Sequence, residues 1–257
     1  MRSVLKSLLL FCAFLSFASS ALAAPFIPYY GKTFYQQLDT GLKGQPLRDQ
    51  LGQTTKTGHH SVGYTRAQVF IFNEFYPYRQ NGQTVVKDVY CQRTYPAPDI
   101  LKGGQTTVVV NVEHTWPQSK FTGTSPSEVQ KSDLHHLFPA DAHINSDRGN
   151  YPFGEVAIDQ KSLQCQISRL GNSRAGQQVV FEPPTSHKGH VARALFYFAV
   201  RYQVAIDDVQ ESYLRKWDHE DPVDEEEIRR NEAIFKLQGN RNPFIDFPGI
   251  ADRISNF

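Results

Sequence analysis

Three valines, Val108 to Val110, lead into Asn111-Val112 and then Glu113-His114, a carboxylate beside an imidazole, before the chain meets Trp116-Pro117. A carboxylate can hold a hard cation, and a neutral imidazole can accept a proton. A hard divalent ion takes oxygen ligands and keeps several waters, so one carboxylate and one amide oxygen suffice to bind it. The second ligand must come from residues 133–154, DLHHLFPADAHINSDRGNYPFG, which hold His135, His136, Asp141, His143 and Asn145. Within that segment ADAHINSDRG reads as a short helix ended by Gly149, on which Asn145 and Arg148, three residues apart, share a face. An amide oxygen and a guanidinium presented together suit a cation beside a phosphate, the first on the ion and the second on a phosphate oxygen. His135 and His136 also fit a structural role, donating to backbone carbonyls. The zinc-protease spacing His-Glu-x-x-His is absent, as are a phosphate loop and a nucleophile elbow.

These residues need elements to position them. TTVVVNVEH is a strand too apolar to face water. Neighbouring strand residues point to opposite faces, so Glu113 and His114 can share a site only where the strand ends or kinks, and Trp116-Pro117 supplies that end. TRAQVFIFNEFY reads as a helix capped by Thr65, with Gln68 completing a capping box. Asn81-Gly82 predicts a tight turn, followed by the strand QTVVKDVYC. SHKGHVARALFYFAVRYQV places Val191, Leu195, Phe198 and Tyr202 on one helical face. A further helix runs from Asp224 as N-cap, with Glu227 at the third position, to a stop at Gly239. Residues 26–60 read as short helical pieces and loops. No linker separates these parts, so the expected fold is a single α+β domain, mostly helical.

The 257 residues, 40% of them hydrophobic, suffice for one large core. Arg2 and Lys6, the apolar run from Leu8 to Phe17, and Ala21-Leu22-Ala23 predict a signal peptide over 1–23 and a mature chain over 24–257. That chain is expected to be periplasmic or secreted, free of the membrane, and a monomer. Losing Arg2 and Lys6 leaves 25 basic against 26 acidic residues, so any nucleic-acid partner needs a local basic patch. Lys188, Arg193 and Arg241 are the candidates. Cys91 and Cys165, the two cysteines of the mature chain, are expected to pair in an oxidising compartment.

Together NVEHTWPQS, DLHHLFPADAHINSDRGNYPFGE, FEPP, KGHVARALFYFAVRY and DPVDEEEIRRNEAIFKLQGNRNPFID resemble the secreted and periplasmic endonuclease I family, over roughly residues 60 to 247. The resemblance implies a ββα-metal core, in which a β-hairpin and a helix cradle one divalent cation. It makes His114 the general base and Glu113 and Asn145 the metal ligands. It also implies sequence-nonspecific hydrolysis of DNA, and of RNA if a 2′-hydroxyl is tolerated, to 5′-phosphate ends with Mg²⁺ (Ca²⁺ or Mn²⁺ as alternatives). In the family the arginine that contacts the scissile phosphate lies in a cysteine-rich insertion between the two motifs. Here that segment is KFTGTSPSEVQKS, without arginine, so Lys120, Lys131 or Arg148 must serve. The alternative reading is a catalytically inactive nucleic-acid-binding protein on the same scaffold. With an ordinary imidazole as base, activity is expected to climb across roughly pH 5–8 as His114 deprotonates.

Overall fold

The computed structural model describes residues 31–102, 105–106 and 109–257, so the expected signal peptide lies outside the described residues. Helix α1 (Gly44–Lys56) is a longer element than short helical pieces predict. Helix α2 (Tyr64–Val69) runs into a π-helical turn over Phe70–Phe75. Its N-cap is Gly63 (φ 76°) with no side-chain cap, not Thr65. Phe70, Ile71 and Phe72 are all buried, and the wider π turn accommodates consecutive apolar residues that one stripe of an α-helix would not. Strands β1 (Tyr78–Gln80), β2 (Gln83–Lys87) and β3 (Thr94–Pro96) form an antiparallel sheet in that order, and Asn81-Gly82, both at positive φ, make the tight β1–β2 turn. Short β4 (Leu101–Lys102) and β5 (Gln105–Thr106) pair next.

The centre of the chain supplies β6 (Val110–His114), α3 (Ser127–Ser132), β7 (Leu137–Asp141) and α4 (Ala142–Arg148). A second antiparallel sheet follows, from β8 (Val156–Lys161), β9 (Arg169–Ser173) and β10 (Val179–Glu182), with β9 in the middle. The remainder is helical: α5 (Lys188–Tyr202), α6 (Asp208–Glu220), α7 (Glu225–Gln238) and α8 (Pro243–Asp246). The result is an α+β fold, with α7 starting at the capping box of Asp224 and Glu227 and stopping at Gly239 (φ 85°).

Helix α5 is the axis of the larger core. It packs against α1, α6 and α8, and every residue from Gly189 to Tyr202 is buried. The single apolar face expected for it is therefore replaced by burial on all sides. A smaller core gathers Phe70, Phe72, Val86, Val110, Val112 and Leu137 beneath the β6–β7 hairpin. Two buried carboxylates tie these parts together. Asp88 ends β2 by accepting from the amides of Tyr90, Cys91 and Arg93 at 2.9, 2.7 and 2.8 Å, and it also takes the Asp141 amide at 3.3 Å. Asp133, between α3 and β7, accepts from the Tyr197 and Tyr202 hydroxyls of α5 at 2.9 and 2.8 Å and from Gln238 of α7 at 2.8 Å. The hairpin connector is thereby fixed to the central helix.

Cys91 and Cys165 form a disulfide, joining the loop after β2 to the β8–β9 connection across 74 residues of sequence. Closing a loop of that size should stabilise the fold by about 4 kcal/mol on the chain-entropy account. Reduction, or Cys165→Ser, is expected to lower the thermal midpoint by many degrees, measured by circular dichroism with and without dithiothreitol. An unchanged midpoint on verified reduction would show that the bridge contributes nothing to stability.

Candidate active site

The hairpin and helix of the site are contiguous in space. β6 and β7 pair antiparallel, with Glu113 opposite Phe138 and His114 opposite Leu137, and the Thr115 amide adds one more bond to the His136 carbonyl at 3.0 Å. Helix α4 starts where β7 ends. The Asp141 side chain caps it, accepting from the amides of His143 and Ile144, and Gly149 (φ 53°) ends it. Strand, strand and helix thus wall a cleft of about 610 Å³, lined among others by Tyr64, Asn111, Glu113, His114, Gln118, Asn145 and Arg148. Glu113 and His114 share this cleft because the strand stops at His114.

Glu113 is 1% exposed. Arg148 Nη1 lies 3.1 Å from its Oε1, but outside hydrogen-bonding geometry, and neither carboxylate oxygen accepts a hydrogen bond. Burial raises the Glu113 pKa, opposed by the Arg148 charge and by the neighbouring Tyr90 hydroxyl, which lies close to the carboxylate without meeting hydrogen-bond geometry. Arg148, 2% exposed, donates to the carbonyls of His114 and Thr115 at 3.1 and 2.7 Å. It fixes the strand end, partly neutralises Glu113 and lines the cleft. Asn145 Nδ2 donates to Asn111 Oδ1 at 2.8 Å and to the Val112 carbonyl at 3.3 Å, so its Oδ1 is the atom that could meet a cation. A buried carboxylate without hydrogen bonds, beside an amide whose nitrogen is already engaged, fits a hard divalent cation.

His114 is held in one tautomer. Its Nε2 sits 3.1 Å from the Lys131 carbonyl, an acceptor only, so Nε2 carries the proton and Nδ1 the lone pair. Gln118 Nε2 lies 3.3 Å from that Nδ1. Burial, then the neighbouring His136, pushes the His114 pKa down to about 3. The imidazole is therefore neutral throughout the range where the sequence reading expects it to titrate.

The other histidines of the segment stand outside the cleft. His135 and His136 are fully buried, each with Nε2 at a backbone carbonyl, of Asn240 at 3.3 Å and Gln130 at 2.8 Å. His143 is exposed beside Asp147. Of the three basic residues expected at a nucleic-acid surface, Arg193 and Arg241 are buried and Lys188 is half-buried, and all three are paired with acids. Arg193, 1% exposed, forks onto Glu227 at 2.8 and 2.6 Å and pairs with Asp218 at 2.9 Å. Arg241 binds Asp246 and Glu232 in the same way, and Lys188 pairs with Glu182 at 2.7 Å. A guanidinium enclosed by carboxylates cannot reach a phosphate in solvent. Lys131 stands beside the cleft, its Nζ 4.6 Å from the centre of the Tyr64 ring.

Asn111, Gln118 and Tyr64 are site residues that the sequence reading passes over. Asn111 carried a signal: it is the one polar side chain within VVVNV.

The family model described as Endonuclease I matches residues 44–249. An extracellular ribonuclease of Bacillus subtilis (strain 168) is 32% identical over 253 residues, 91% of this chain and 82% of that protein. An extracellular ribonuclease of Bacillus amyloliquefaciens is 38% identical over 242 residues, 87% of this chain and 78% of that protein. A periplasmic deoxyribonuclease of Aeromonas hydrophila is 36% identical over 117 residues, 45% of this chain and 48% of that protein.

Burial makes the histidines acid-sensitive. His135 and His136 are pushed down to about 3 and 4, and His187 well below the ordinary value, all chiefly by desolvation. Below pH 6.5 the unfolded chain takes up protons that these native imidazoles refuse, so the stability they contribute is present above 6.5 and lost as pH falls toward 4. Each group changes stability by at most about 1.4 kcal/mol per pH unit. His136→Gln should flatten the fall of thermal midpoint between about pH 6.5 and 4.5 relative to the unsubstituted protein. Parallel curves would show that His136 is protonated in the native state.

Proposed function

The chain belongs to the endonuclease I family, and on that premise we propose that it is an exported, divalent-metal-dependent endonuclease acting on RNA and DNA without sequence preference. One observation carries the reading. On one ββα unit, a buried carboxylate that accepts no hydrogen bond stands next to an imidazole whose lone pair is directed by its own tautomer. RNA is included because the two relatives matched over most of this chain are named ribonucleases, whereas the deoxyribonuclease matches cover about half of it or less. Periplasmic or extracellular placement accords with the names of the relatives. Among the described residues no helix is long and apolar enough to cross a membrane.

His114 Nδ1 takes the proton of an attacking water, and general-base help of this kind accelerates hydrolysis by about 10²–10⁴-fold. Nε2 keeps its own proton on the Lys131 carbonyl, so the ring stays oriented while Nδ1 works. In the free protein Gln118 Nε2 donates to that same lone pair at 3.3 Å, so an incoming water must displace this amide before Nδ1 can take its proton. Glu113 and Asn145 would hold a divalent ion such as Mg²⁺ (or Ca²⁺ or Mn²⁺), which would supply neutralisation of the negative charge that develops on the phosphodiester. Lys131, half-buried against Tyr64, takes a phosphate contact. Phosphate contacts carry no base information, which accounts for broad specificity.

Purified mature protein should nick plasmid and degrade RNA, and EDTA should stop both. His114→Ala should reduce turnover by at least about 100-fold with substrate affinity near that of the unsubstituted protein. Retention of more than about a tenth of turnover would remove His114 as base. Because the imidazole is already neutral above about pH 4, the rate should show no rise centred near 6.5. A clear inflection there that vanishes in His114→Ala would place the native pKa at its ordinary value. Lys131→Ala should weaken binding to all sequences alike and lower the slope of log affinity against log salt by about one; an unchanged slope would discard that contact.

A further inference from the structure

Downstream in sequence from the cleft residues, the N-terminal ends of α5 and α7 meet. His190, in the first turn of α5, points its Nε2 at both carboxylates of the α7 capping box, 3.3 Å from Asp224 Oδ2 and 3.8 Å from Glu227 Oε2. Ligands bound about 2.0–2.1 Å from a tetrahedral zinc ion stand roughly 3.3–3.4 Å apart, so the first separation matches one edge of such a site and the second is slightly long. The three side chains present one nitrogen and two carboxylate oxygens within 4.8 Å of one another. His190 and Asp224 also line a cavity of about 400 Å³, open enough for water to complete a coordination shell. His187 lines the same cavity. It is 4% exposed, its ring centre is 5.4 Å from that of His190, and its Nε2 has no hydrogen-bond partner.

Charge points the same way. Asp218, Asp224 and Glu227 bring three carboxylates to this junction, and Arg193 is the full cation paired among them. We propose that His190, Asp224 and Glu227 form a second metal site, selective for a borderline transition ion such as Zn²⁺, with water from the cavity completing the shell. Imidazole with carboxylate suits Zn²⁺ or Co²⁺, whereas the oxygen-only pair of Glu113 and Asn145 suits Mg²⁺. Arg193, donating to Glu227 Oε2 at 2.6 Å, orients that ligand as an outer partner does in protein metal sites. The ion would bind neutral imidazole, displacing any proton on His190 to solvent, and would tie α5 to α7 without touching the cleft.

The test uses Co²⁺ on the full mature protein carrying Glu113→Gln, so that binding in the cleft does not obscure the result. One equivalent should bind, with the ligand-field absorption of a four- or five-coordinate site, and Zn²⁺ should displace it. Zn²⁺ should also raise the thermal midpoint. Adding His190→Gln should weaken binding by about 100-fold or more, beyond what loss of an outer partner causes. Asp224→Ser retains a good helix cap while deleting the ligand oxygen, and should also weaken binding if the protein's circular dichroism is unchanged. Absence of binding at millimolar Co²⁺, or binding unaltered by both substitutions in folded protein, would overturn the proposal.

Discussion

Burying a carboxylate at the end of a strand obliges the surroundings to supply positive charge, and Glu113 sets that demand for the central unit of this protein. Arg148 meets only part of it. The guanidinium approaches the carboxylate but directs its hydrogen bonds to the His114 and Thr115 carbonyls, so the same side chain closes the strand, fixes the backbone of His114 and joins α4 to the hairpin. Because the carboxylate oxygens accept no hydrogen bond, the site remains short of positive charge in the direction of the cleft. Structure and chemistry therefore make one demand on this residue.

The hairpin owes its position to a second buried carboxylate. Asp133 is fully enclosed, and although burial alone would raise its pKa, nearby positive charge, of which Arg201 is the permanent source, holds it well below the usual carboxylate range. With two tyrosine hydroxyls and a glutamine amide also donating to it, Asp133 anchors the connector between β6 and β7 to α5 and α7. Distant helices thus govern where His114 sits. The interior arginines serve the same economy of charge: Arg193 and Arg241 satisfy carboxylates between helices, so neither is presented to a ligand in solvent.

Much of the site could be read from sequence because its signals are local. Glu113 and His114 are adjacent, Trp116-Pro117 marks the strand end, and Asn145 and Arg148 lie on a helix bounded by Asp141 and Gly149. The capping box of α7 and the Asn81-Gly82 turn are equally local. The failures arise where the deciding partner is remote. Arg193 meets Glu227 across 34 residues, so nothing near the arginine reveals that its charge is already engaged. Likewise, the burial of His114 depends on Tyr64, Phe121 and His136 packing around its ring, and an amino-acid string gives no measure of that enclosure. The all-round burial of α5 follows from the helices that surround it, which periodicity along α5 itself cannot disclose.

The bridge between Cys91 and Cys165 has a topological consequence. It closes residues 91 to 165 into a covalent ring, and β6, β7 and α4 all lie inside that ring. A single proteolytic nick anywhere along the connector from Thr115 to His136 would leave both fragments attached through sulfur. Outside the cell, where endopeptidases are abundant and no chaperone can rebuild a damaged chain, Glu113-His114 and Asn145 would then remain parts of one molecule after a cut between them.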